Sequence, residues 1–169
     1  MMTRKCSSMK IRADGMTDQT WSRWYNDPAG IGQALNPGME AHELAAQQGN
    51  KTYLYKLTVP VLGARCNLTT FYRRDKADGT KVLFHSSQGN EGLRASCAHL
   101  HNNDTFMNNR LTYMAWKPYN GGMEITHIVK VNPGGNWLER NAANLFMSKA
   151  AGGLLNIVRY LEDGTISGK

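Results

Sequence analysis

The sequence is poor in cysteine, in long apolar runs and in blocks of like charge. Its 169 residues include three cysteines, Cys6, Cys66 and Cys97. An odd, irregularly spaced set does not make a disulfide framework, and it points to a reducing, cytoplasmic setting. No C-x-x-C pair occurs, which removes the usual spacing of a structural zinc site. The longest apolar stretch, Val59 to Ala64, contains Pro60 and Gly63. It falls far short of the roughly 20 residues that a membrane-spanning helix needs. Met1 to Lys10 hold charges and serines without an apolar core, so no secretory leader is expected. No five like charges run together, and aromatics are not interleaved with basic residues along any segment. Those absences count against a nucleic-acid partner. There is no G-x-S-x-G, no P-loop and no G-x-G-x-x-G, so neither an enzyme nor a nucleotide cofactor is expected.

What is present describes one folded domain. Apolar residues make up 41% of the chain and charged residues 20%, too apolar and too weakly charged for a disordered tail. The net charge is +7. It leans toward the first half, with +5 over residues 1–85 and +2 over residues 86–169. A basic excess favours an anionic partner, and a membrane surface is one such partner. His99 and His101 form an H-x-H pair, but no third ligand stands at a supporting distance. No metal is expected there, only a polar loop or edge strand.

Periodicity divides the chain in three. Met9 to Ala13 reads as a short strand. A helix over Gln19–Tyr25, capped by Thr17 or Asp18, places Trp21, Trp24 and Tyr25 on neighbouring turns. Pro28 ends it, and Ala29–Ala34 can add a helical turn. The period then changes to two. Strands are expected at Met39–Ala46, Thr52–Val59, Asn67–Arg74, Lys81–Ser87, Leu93–Leu100, Arg110–Pro118 and Met123–Val131. Asp78-Gly79 and Asn120-Gly121 are hairpin signals between them, and His101–Asn109 reads as a polar loop. Asn136 with Glu139 has capping-box spacing. It opens a long amphipathic helix whose stripe includes Leu138, Leu145, Phe146, Leu154 and Leu161, interrupted at Gly152-Gly153. An antiparallel sheet with one apolar face needs a cover, which the last helix can supply. Such a sheet curved around one helix is a natural place for an apolar ligand pocket.

In that order, several segments resemble START domains, the steroidogenic-acute-regulatory-related lipid transfer domains. They are Val61-Leu62-Gly63-Ala64-Arg65 and the strand after it, and Asp78-Gly79-Thr80 with its return strand. Val131-Asn132-Pro133-Gly134-Gly135-Asn136-Trp137-Leu138 follows, then Asn144-Leu145 and Leu154-Leu155-Asn156-Ile157-Val158-Arg159 in the final helix. Trp24-Tyr25-Asn26-Asp27 and Leu35-Asn36-Pro37 fit the opening helices more loosely. The resemblance implies an α+β helix-grip fold (START/Bet v 1-like), a curved antiparallel sheet wrapped on a long C-terminal helix. It implies one sterol or phospholipid held in an internal cavity, transfer between membranes, no bound cofactor and no covalent chemistry. Residues 1–8 read as a flexible N-terminal segment, 9–163 as the lipid-binding domain and 164–169 as a tail. The chain is shorter than a usual START domain, and the shortfall is expected among the N-terminal elements. Cys66-Asn67 stand where the family has aspartate-phenylalanine.

The candidate cavity residues are Arg65, Tyr53, Tyr55, Phe71, His127, Ile125 and Val129, and the candidate lid residues are Leu145, Phe146 and Leu154. Arg65 matches the family's arginine at the start of a cavity strand. It would bind a headgroup phosphate or hydroxyl, or else form a structural ion pair, with Glu40 or Glu43 as guesses for its partner. His127 on an apolar strand face is a hydrogen-bonded core residue or a ligand contact. Tyr113 and Trp116 have opposite parity, so an unbulged strand puts only one of them on the cavity side. The expected protein is a cytoplasmic monomer that touches anionic membranes transiently. The alternative is a small-molecule enzyme, cyclase- or hydrolase-like, on the same scaffold, with His127 and His85 as its titratable pair.

Overall fold

The computed structural model describes residues 7–13, 22–23, 25–36, 38–59, 62–102, 104–120 and 122–136. In chain order these form β1 (Ser7–Ala13), α1 (Pro28–Leu35), β2 (Glu40–Gln47), β3 (Asn50–Val59), β4 (Gly63–Asp75) and β5 (Lys81–Ser86). Then come α2 (Leu93–Ser96), a 3-10 turn (Ala98–Leu100), β6 (Thr105–Phe106), β7 (Asn108–Tyr119) and β8 (Gly122–Asn132). Seven strands lie side by side in the order β1-β8-β7-β5-β4-β3-β2, and every pairing along that path is antiparallel. The long helix expected after Asn136, with its two glycines, lies outside the described residues.

Local chemistry accounts for most of the element ends. Asp27 caps α1 by accepting from the Gly30 N–H at 2.9 Å, and Pro28 occupies the first turn, where its missing N–H costs nothing. At the β2–β3 hairpin, Gln48 and Gly49 both have positive φ, 49° and 77°. That is the backbone a two-residue turn needs to match strand twist. β1 begins at Ser7, two residues before the strand expected from the sequence, and pairs with β8 through Met9 opposite His127.

The register puts odd-numbered residues of β3, β4, β5 and β8 on the concave face. Tyr55 lies opposite Asn67, Phe71 opposite His85 and Leu83 opposite Met114. Ile125 lies opposite Trp116, so Trp116 takes the concave side of β7, and Tyr113 the other. Tyr53, Tyr55, Phe71, Leu83, Met114, Trp116, Met123 and Ile125 form this core with Ala29 and Ile31 of α1. Trp116 and Ile125 are fully buried. Tyr25 meets the Trp116 ring edge-on at 5.8 Å between centroids. Phe71 packs edge-on against Tyr53 at 5.6 Å and Tyr55 at 6.1 Å. Such geometry adds to the burial of aromatic area.

Two expectations need correction. The sheet does not have a single apolar face. Leu54, Cys66 and Leu68 point the other way and are buried with Cys97, flanked by Leu44, Leu93, Leu100 and Phe106. Cys66 and Cys97 are free thiols. The cover on this convex side is the β5–β7 connection. Nor is 93–100 a strand, since it folds as α2 and the 3-10 turn. His99 and His101 therefore do not share a strand face, and no group of three His, Cys, Asp or Glu suited to a metal exists among the described residues.

The expected polar loop at 101–109 also contains β6. β4 spans 13 residues and β5 only 6, so the start of β4 has an edge that β5 does not reach. β6 fills it by pairing in parallel with Arg65 and Cys66, and the Met107 N–H donates to the Cys66 carbonyl at 2.7 Å. Satisfied backbone groups are the reason for so short a strand. Gly134 passes directly over β6 with φ of 73°, and a Cβ there would overlap the Phe106 carbonyl oxygen. Gly134→Ala is expected to cost about 1–3 kcal/mol in urea unfolding, from positive φ and this overlap together. A change within about 0.3 kcal/mol would show that the turn after β8 can relax freely.

Candidate ligand cavity

Between α1 and the concave face lies a cavity of about 290 Å³. Pro28, Gly32, Asn36 and Met39 form its α1 side. Tyr55, Leu57, Phe71, Leu83, Met107 and Met114 supply most of its apolar surface, while Asn67, His85, Thr112 and His127 are polar. No acidic side chain, lysine or arginine is among these residues.

The strands position the polar set. Phe71 and His85 are cross-strand partners and their rings stack at 4.5 Å with 20° between planes, which fixes the imidazole plane. Thr112 donates to Asn109 Oδ1 at 3.1 Å. The amide nitrogen of Asn109 then faces His85 Nδ1 at 2.8 Å and donates to it. Thr69 Oγ1 lies 3.2 Å from the same nitrogen. This network assigns the proton of the neutral ring to Nε2. Burial pushes the His85 pKa down to about 3, with His127 adding to the shift, and burial lowers His127 as well. Both rings are neutral near pH 7.

Asn67 is oriented in the same way. The Asn109 N–H donates to Ser87 Oγ at 3.1 Å, so the Ser87 hydroxyl donates onward to Asn67 Oδ1 at 3.1 Å. The Asn67 NH2 group takes no part in this bond, and Asn67 borders the cavity. Tyr55 is 6% exposed, and its hydroxyl has no hydrogen-bond partner among the described residues. Burial, then Tyr53 and Asp27, hold its pKa above the ordinary tyrosine value.

Of the residues singled out from the sequence, Tyr55, Phe71 and His127 border the cavity. Tyr53 stands beside it, its ring tilted 34° to that of Tyr55 at 5.7 Å between centroids, with its hydroxyl donating to Glu43 at 3.0 Å. Ile125 is sealed in the core next to Trp116. Val129 is half-buried and opposite Thr112. Arg65 is 3% exposed and is not among the residues bordering this cavity. It donates through Nε to the Pro133 carbonyl at 3.2 Å and through Nη1 to the Ala64 carbonyl at 2.9 Å, tying the start of β4 to the end of β8. Its guessed acid partners engage other groups. Glu40 meets Lys56 and His42, each at 3.4 Å, and Glu43 meets Lys51 at 3.1 Å. Leu145, Phe146 and Leu154 lie outside the described residues.

Sequence reasoning missed Leu57, Asn67, Leu83, Met107, Thr112, Met114 and the α1 contributors as cavity residues. Asn67 could have been found, because it shares parity with Phe71 on one strand. The α1 residues carry no such signal, since nothing local says where that helix docks.

No model of a known protein family matches the sequence, and no curated protein matches it significantly. Solved structures do match. Human STARD10 superposes with a TM-score of 0.73 at 10% identity, over 92% of this chain and 62% of that one. The STAR-related lipid transfer protein from Xanthomonas axonopodis gives 0.69 at 14% identity, over 92% and 85%. Human StAR-related lipid transfer protein 5 gives 0.73 at 8% identity, over 92% and 74%. The chain thus spans less than two thirds of the STARD10 structure. At such identities the likeness is one of fold.

Proposed function

We propose that this chain, whose fold is that of a START-like domain, binds a lipid in the cavity between α1 and the concave face and transfers it between membranes. The observation that carries the reading is an apolar cavity of about 290 Å³ with no charged side chain on its described walls. It lies near the lower end of the usual ligand-pocket range of about 300–1,000 Å³. The similar folds of two proteins named for lipid transfer support the same reading. Closure by the segment carrying Leu145, Phe146 and Leu154 belongs to the proposal, as does docking of the basic surface on anionic membranes. A lysine or arginine near such a surface contributes about 1 kcal/mol.

Catalysis by His85 and His127 is the weaker reading. An imidazole held near pKa 3 is poorly matched to proton transfer near neutral pH, where an effective acid or base titrates close to the working pH.

Native mass spectrometry of the purified protein is expected to show one lipid-sized adduct. Donor liposomes carrying labelled sterol or phospholipid should lose label to acceptors faster with protein than without. A protein that carries no adduct and moves neither label would sink the proposal.

A further inference from the structure

We propose that the cavity selects apolar ligands bearing one uncharged acceptor oxygen, a carbonyl above all, over plain hydrocarbon and over anionic lipid. This rests on the lipid-binding reading and names the ligand class for it.

Among the residues of the cavity wall with hydrogens to give, three stand on the neighbouring strands β3, β4 and β5. The Tyr55 hydroxyl is buried with no partner among the described residues, at a residue that borders the cavity. A buried donor left unmade costs about 1–3 kcal/mol, so a native structure that keeps one invites a ligand to satisfy it. The second is His85 Nε2–H, which the Asn109 bond to Nδ1 leaves protonated, at a residue that borders the cavity. The third is the Asn67 amide, whose oxygen is already occupied by Ser87.

Tyr55 and Asn67 are cross-strand partners, and His85 lies on the next strand opposite Phe71. All three residues lie on one side of the sheet and border the same cavity. What they can jointly receive is an oxygen with lone pairs.

Charge decides between a neutral oxygen and an anion. A carboxylate or phosphate taken from water into this cavity would meet neutral donors and no cation on the described walls. Arg65 is engaged with two backbone carbonyls elsewhere, and both histidines stay uncharged near neutral pH. Burying an unpaired charge is far more costly than burying a dipole with good hydrogen bonds. A ketone or ester carbonyl takes the donors without that penalty.

Two matched ligand sets test this: 5α-cholestan-3-one, 5α-cholestane and cholesteryl sulfate, and methyl palmitate, heptadecane and palmitate. Each is delivered from cyclodextrin and its retention is read by native mass spectrometry. In at least one set the carbonyl member is expected to bind about tenfold tighter than both the hydrocarbon and the anion, the worth of one good hydrogen bond. In Tyr55→Phe that ratio should fall several-fold. The variant itself should unfold no more easily than the parent, because the hydroxyl it loses has no partner among the described residues.

Equal binding of hydrocarbon and carbonyl, preference for either anion, binding of none of the six, or a ratio unmoved in Tyr55→Phe each overturns the inference. Failure of the lipid-transfer reading would look different: no copurified adduct and no liposome transfer, whatever the preference among these ligands.

Discussion

Trp116→Ala is expected to lower stability by about 3–5 kcal/mol, the usual cost of emptying a buried tryptophan site. A domain of ordinary stability has only about 5–15 kcal/mol in total, so the variant should sit near the edge of folding. The expectation follows from position. Trp116 is fully buried, it stands opposite Ile125 on β8 and opposite Lys81 on β5, and Tyr25 packs on it edge-first. β7 thus carries one large side chain that joins three strands to Tyr25, ahead of α1. The space left by alanine cannot be refilled easily, because the neighbours are already held by their strand registers. Urea unfolding followed by circular dichroism gives the loss directly. Trp116→Phe, which keeps an aromatic ring, should lose clearly less. A loss below about 1 kcal/mol for alanine would mean that this face is loosely packed.

The second large effect is acid sensitivity above the carboxylate range. His85 is buried neutral, with its pKa near 3 against 6.5 in an unfolded chain. Between those values the unfolded state binds a proton that the folded state refuses. Stability from this group is therefore complete above pH 6.5 and declines as pH falls toward 3. The slope approaches about 1.4 kcal/mol per pH unit, so moving from pH 8 to pH 5 should remove about 2 kcal/mol through His85 alone. His127, shifted the same way by burial, adds in the same direction. Glu40, Glu43 and Asp78 have lowered pKa values through their hydrogen-bond partners. They lose their contributions only at lower pH, which leaves pH 6.5–5 to the histidines. Urea melts at pH 8, 6.5, 5.5 and 5 give the slope, and His85→Gln should flatten it whatever its stability at pH 8. An unchanged slope in that variant would remove His85 as the cause.

How much of this could be read beforehand depended on the range of the physics. Strands β2 to β5, β7 and β8 were legible because pleat alternation and hairpin turns are local. Tyr53, Tyr55 and Leu57 declare a face within five residues, and Asp78-Gly79 or Asn120-Gly121 declare a turn within two. The segment from Leu93 to Leu100 was misread although its signal was also local. Leu93, Cys97 and Leu100 are spaced as on one helix face, and that is the face buried against Leu54 and Leu68. β6 could not be read from two residues, because its cause is a vacant edge on a strand some forty positions earlier.

The cavity divides along the same line. By itself the sequence determined an antiparallel sheet, the alternation that puts Tyr53, Tyr55 and Leu57 on one face of their strand and His127 on the apolar face of its own, the turn after Val131 and the START resemblance. The tertiary structure alone decided that Arg65 braces the end of β8. It also decided that His85 is neutral with its proton on Nε2, and that the Tyr55 hydroxyl has no partner among the described residues. The reason is physical. Strand parity is carried by neighbouring residues, whereas hydrogen-bond satisfaction and desolvation depend on groups that only folding brings together, as Asn109 is brought to His85 across 24 positions of chain.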